Sequence, residues 1–109
     1  MSGRVAFYGT LRGEFPMQRR LGVDGMLRLL GMCVLPGELV DLGAYPGLVE
    51  GAGRVDAELY EVLDEAVWRI LDDYEGDEYR RECATLIEPA GEHAWVYRYV
   101  GEDGGRAGI

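Results

Sequence analysis

Two places in this sequence hold residue types suited to chemistry: the run Tyr8-Gly9-Thr10-Leu11 and the carboxylate of Glu75. In the first, Gly9 follows an apolar stretch from Val5 to Tyr8. Glycine there permits backbone angles barred to other residues and lets a second group approach the chain closely. Thr10 offers a hydroxyl, and the N–H groups of Gly9, Thr10 and Leu11 need acceptors. Several N–H donors delivered to one point can cradle a carbonyl, a carboxylate or a developing oxyanion. An ordinary first strand followed by an ordinary turn would use the same residues.

Glu75 lies about 40° round a helical wheel from Leu71, on the border of an apolar stripe, at ~100° per residue. Asp72 and Asp73 point away from that stripe into solvent. A carboxylate in the last turn of a helix faces the negative end of the macrodipole, which disfavours ionisation, and partial burial acts in the same direction. A glutamate made more basic in this way is suited to moving protons near neutral pH. The alternative is an ion pair with Arg80 or Arg81, just downstream. His93 is the only histidine, so a histidine metal cluster or a Ser-His triad is hard to assemble. Cys33 and Cys83 sit in apolar segments without CxxC spacing and read as reduced core residues.

The elements that must position these groups fit one domain over residues 1–100, with 101–109 as a loose tail. The net charge of −9 argues against a nucleic-acid backbone or an anionic membrane surface as partner. No apolar run reaches membrane-spanning length and Met1-Ser2-Gly3-Arg4 does not open a signal peptide, so the expected address is the cytoplasm. Val5–Tyr8 predicts a short buried strand. Met17–Leu30 has helical character interrupted by Gly22 and Gly25, with Gln18-Arg19-Arg20 as a solvated face. Leu30–Leu42 is strand-like with a bend at Pro36-Gly37, and Ala44–Val49 reads as a turn around Pro46-Gly47. Alternation of Val55, Ala57 and Leu59 with Arg54, Asp56 and Glu58 predicts a strand over Gly51–Val62. Asp64 then stands as a helix N-cap with Glu65 in the first turn, and Val67, Ile70, Leu71 and Tyr74 follow core-facing helical spacing until Gly76. Tyr79–Ile87 and Ala94–Tyr99 predict two more strands, turning at Pro89-Ala90-Gly91; Trp95, Tyr97 and Tyr99 share one face of the last.

Taken together, four blocks resemble the gamma-glutamylcyclotransferase-like family, in particular its short gamma-glutamylamine cyclotransferase-type members. They are Phe7-Tyr8-Gly9-Thr10-Leu11-Arg12, then Tyr45-Pro46-Gly47-Leu48-Val49 with Gly51, then Glu58-Leu59-Tyr60-Glu61-Val62, then Leu71-Asp72-Asp73-Tyr74-Glu75-Gly76 followed by Tyr79-Arg80-Arg81. Ala94-Trp95-Val96-Tyr97 resembles the family's closing strand. The resemblance implies an α+β fold, a small mixed barrel-like sheet with flanking helices. It implies that Tyr8, Gly9, Thr10 and Leu11 bind the glutamyl portion of a small-molecule substrate and that Glu75 is the catalytic acid/base. Arg81 and Tyr97 are further candidate substrate contacts. The implied reaction closes a γ-glutamyl group to 5-oxoproline and releases the attached amine, with no metal or organic cofactor. A non-catalytic domain holding a small amino-acid-like ligand in the same pocket is the alternative.

Overall fold

The computed structural model describes residues 3–43 and 45–101. A run that is apolar at every position suits a strand covered on both faces, and Val5–Tyr8 is used in that way. Strand β1 (Arg4–Phe7) is the middle of a five-stranded sheet, with Val5 and Phe7 buried on one side and Ala6 and Tyr8 on the other. The chain continues through helix α1 (Met17–Leu21), a 3-10 turn at Asp24–Met26, strands β2 (Leu27–Asp41) and β3 (Pro46–Val62), and helix α2 (Val67–Glu75). A second 3-10 turn at Gly76–Glu78 leads into β4 (Tyr79–Thr85) and β5 (His93–Tyr99).

The strand order is β2-β3-β1-β5-β4. β1 runs parallel to β5 and antiparallel to β3, while β2 and β3 form a long antiparallel pair. β4 and β5 pair antiparallel from Tyr79↔Tyr99 to Thr85↔His93. This is the expected α+β fold with a mixed sheet and helices beside it, but the sheet is not closed into a barrel. A bridge between Val34 and Glu88 links β2 to the connection that follows β4.

The two faces of the sheet bury separate cores. Ala6, Cys33, Leu35, Ala57, Leu59 and Val96 belong to one. Val5, Phe7, Tyr60 and Val62 meet Val67 and Leu71 of α2 in the other, with Met17 and Leu21 of α1 packed against it. The alternation read in Arg54–Leu59 and in the last strand holds: Ala94 and Val96 face the first core and Tyr97 the second.

Several local expectations are corrected. The helix expected over Met17–Leu30 is a single short helix, because Gly22 takes a left-handed φ of 75° and Leu27 onward joins the sheet. The turn expected over Ala44–Val49 becomes strand from Pro46, whose missing N–H is tolerated at a strand's first residue; Ala44 lies outside the described residues. Asp64 does begin the approach to α2, its Oδ1 accepting the Ala66 N–H at 2.9 Å, but the N-cap position falls on Ala66. Cys33 is buried as expected, whereas Cys83 is exposed. Gln18 is buried, not solvated. Beyond Gly101, the expected tail lies outside the described residues. Among the described residues, no helix is long and apolar enough to cross a membrane.

Candidate active site

Val67, Leu71 and Glu75 are spaced four residues apart, so they fall along one stripe of α2. Val67 and Leu71 are fully buried, and that stripe carries Glu75 to the edge of the core at the end of the helix. Gly76, with φ of 76°, takes a conformation that favours glycine and ends the helix there, its N–H reaching the Asp72 carbonyl. Strand β1 ends nearby, so its continuation, Tyr8 to Leu11, forms the facing wall. Between them lies a cavity of about 160 Å³. Ala6–Leu11 form one side, Tyr74 and Glu75 another, and Tyr45, Pro46, Tyr79 and Tyr97 the rest.

The loop has an uneven hydrogen-bond inventory. Arg12 donates through both its backbone N–H (3.1 Å) and its Nε (3.2 Å) to the Gly9 carbonyl. The N–H groups of Gly9, Thr10 and Leu11 meet no acceptor among the described residues. Donors on cavity-lining residues that the fold leaves unpaired are available to a ligand. Thr10 Oγ1 and Tyr74 OH share a hydrogen bond of 3.0 Å, joining the loop to the end of α2.

The tyrosines are held rigidly. The Tyr8 hydroxyl donates to the Tyr97 carbonyl (2.6 Å) and accepts from the Leu48 N–H (3.0 Å). Tyr97 OH donates to Asp72 Oδ1 (2.7 Å), and Tyr79 OH donates to the Pro46 carbonyl (3.0 Å). Burial pushes all three phenols well above the ordinary tyrosine range, and the nearby Glu75 charge adds to the effect on each. They are neutral hydrogen-bonding groups at physiological pH.

Glu75 differs from the other carboxylates among the described residues. Burial pushes its carboxyl up to about 7 from an ordinary 4.5. Among the described residues no ion pair or hydrogen bond reaches it. The two arginines expected as alternative partners are engaged elsewhere. Arg80 pairs with Glu82 at 3.0 Å, and Arg81 with Asp72 at 3.4 Å. A desolvated, unpaired carboxyl titrating near neutrality inside a cavity is the arrangement that proton-transfer sites use.

The profile of the family "Gamma-glutamyl cyclotransferase, AIG2-like" matches residues 5–108. The chain belongs to that family. It is 49% identical over 103 residues to a Vibrio cholerae protein named "Putative gamma-glutamylcyclotransferase", covering 91% of this chain and 84% of the relative. Protein ytfP from Escherichia coli, solved in solution, shares 35% identity with a TM-score of 0.68, covering 93% of this chain and 87% of that one. An AIG2-like protein from mouse has the same fold at 24% identity and a TM-score of 0.71, over 89% of this chain and 76% of that one. This member of the family is therefore an enzyme of the gamma-glutamylcyclotransferase type.

In this cyclotransferase-family fold, Tyr8, Gly9, Thr10, Leu11, Tyr97 and Glu75 come together around one cavity. Arg81 does not line it. Its guanidinium stacks over the Trp68 ring at 4.3 Å and lies 5.6 Å from the centre of Trp95. Through Asp72 it reaches only the outer side of Tyr97. Gly9 does not take a left-handed φ, and a Cβ there would meet Pro46 at an ordinary 3.4 Å, so its conformational freedom is not what the loop uses. Sequence alone raises Tyr45 as a possible pocket wall without making it a site residue, and it does not single out Tyr74 or Tyr79. Tyr74 adjoins Glu75, and Tyr45 and Tyr79 lie in the motif blocks, which is the signal that could have marked them.

Proposed function

We propose that this cavity closes a γ-glutamyl group to 5-oxoproline and releases the attached amine, with Glu75 as general acid/base. The α-amine of the substrate attacks its own side-chain amide carbonyl, forming one C–N bond. The tetrahedral intermediate then expels the original amide nitrogen as a free amine. Glu75 takes a proton from the attacking nitrogen and returns it to the leaving one, so the protons balance without a further reactant. The unpaired N–H groups of Gly9, Thr10 and Leu11 hold the substrate carboxylate or the developing oxyanion. Tyr8 and Tyr97, both neutral, shape the wall, and Arg81 supports Tyr97 through Asp72 from outside. Because nucleophile and electrophile share one molecule, the protein has only to fold the substrate, steady charge and move a proton.

The observation that carries this reading is the unpaired Glu75 carboxyl, titrating near 7 in the same cavity as three unclaimed N–H donors. The test is incubation with a panel of γ-glutamyl amines and dipeptides, with 5-oxoproline measured by mass spectrometry. Product from the natural sequence and none from a folded Glu75→Gln variant is the expected result. Undiminished product from that variant would overturn the role given to Glu75.

A further inference from the structure

Three side chains outside the cavity grip the loop that lines it. Gln18 is the buried polar residue of α1, and its Nε2 donates to the Leu11 carbonyl at 2.7 Å. Glu58, on β3, accepts the Gly13 N–H at 2.7 Å on Oε1. The same oxygen accepts the Tyr60 hydroxyl at 2.9 Å. Gln18 thus holds the loop at Leu11, and the Glu58–Tyr60 pair holds it at Gly13. Space behind the loop is tight, since a Cβ on Gly13 would lie 3.0 Å from Tyr60 OH. None of the three side chains lines the cavity.

Burying the Gln18 carboxamide behind the loop carries a desolvation cost that an apolar side chain would avoid. Gln18 and Glu58 bind two points of the loop, the carbonyl of Leu11 and the N–H of Gly13. Arg12 N–H closes the turn onto Gly9 from within. The loop is thus pinned at residues 9, 11 and 13, and the pins leave the N–H groups of Gly9, Thr10 and Leu11 unclaimed. An anion cradle works only if its donors are held in place before the charge arrives.

We propose that Gln18, Glu58 and Tyr60 are positioning residues that hold the Gly9–Leu11 cradle in its anion-binding shape. The proposal rests on the function assigned above to that cradle. Glu58 acts through its Oε1 as an acceptor, not through its charge, so glutamine can replace it and alanine cannot.

The test compares Glu58→Ala and Glu58→Gln with the natural sequence by two readouts. The first is the NMR order of the Gly9, Thr10 and Leu11 amides without ligand. The second is the affinity for 5-oxoproline and the turnover of γ-glutamyl amines. In Glu58→Ala the three amides should become mobile, and binding and kcat should fall about tenfold to a hundredfold. Glu58→Gln should restore order, affinity and rate. Should Glu58→Ala not fold, Tyr60→Phe, which removes one ligand of Oε1, should show the same losses in smaller measure. Amides that stay ordered in Glu58→Ala, or losses that glutamine does not restore, overturn the proposal. If the natural sequence neither binds 5-oxoproline nor turns over a γ-glutamyl amine, the assigned function fails, while loop order still decides the clamp.

Discussion

Replacing Glu75 by glutamine should make the protein more stable, and only above a definable pH. The carboxyl is pushed up to about 7 by burial, from an ordinary 4.5. The folded chain therefore binds this proton more tightly than the unfolded chain does. The stability this contributes is fully present below about 4.5 and is lost as pH rises through about 7. At about 1.4 kcal/mol per pH unit, that gap corresponds to about 3 kcal/mol. Glutamine is nearly the same shape and stays neutral, so the variant escapes the loss. Wild type and variant should be alike near pH 4, and by about pH 8 the variant should lead by up to about 3 kcal/mol. In melting temperature this is about 13 °C for a chain of this size. Glu82 is shifted the other way, chiefly by its hydrogen bond from Arg80, and its contribution is lost as pH falls. It is present in both proteins and cancels in the difference. Urea unfolding of the two at matched pH values between 4 and 8 measures the effect. A difference that stays constant over this range would refute the reasoning, because it would mean that Glu75 titrates alike in the folded and unfolded chains.

Tyr8→Phe leaves the Leu48 N–H and the Tyr97 carbonyl without their buried hydroxyl partner, and should cost about 2 kcal/mol in chemical unfolding. Leu71→Ala empties a fully buried position under α2, and should cost about 2–5 kcal/mol, read by the same method. Of the two cysteines, Cys83 is exposed, while Cys33 is buried with its thiol pushed up to about 11. A thiol reagent at neutral pH should therefore modify one cysteine quickly in the native protein and the second only after unfolding.

Local periodicity made the strands and the helix that carries Glu75 legible in the sequence. Val55, Ala57 and Leu59 alternate because β3 is buried on that face, and Val67 and Leu71 repeat because α2 lies on the sheet. Glu75 stood out for the same reason, as a carboxylate on the margin of an apolar stripe. What periodicity cannot supply is the choice among distant partners. Arg80 and Arg81 are near Glu75 in sequence, yet β4 directs Arg81 onto Trp68 and pairs Arg80 with Glu82. Gln18 looked solvated beside Arg19 and Arg20, but the loop ahead of it needs a donor at Leu11, and α1 turns that one side chain inward. Pro46-Gly47 carried turn chemistry, yet long pairing with β2 extended the strand through it. In each case tertiary contact overrode a local preference.

The proposed reaction depends on Glu75 being ionised when it takes the substrate's proton. The most direct measurement is the pH dependence of kcat/KM for 5-oxoproline release from a γ-glutamyl amine. Activity should rise with pH through a limb near 7, coincident with the titration of the Glu75 carboxyl followed by NMR. A rate that is flat across that range while Glu75 titrates within it would contradict the role of Glu75 as the base.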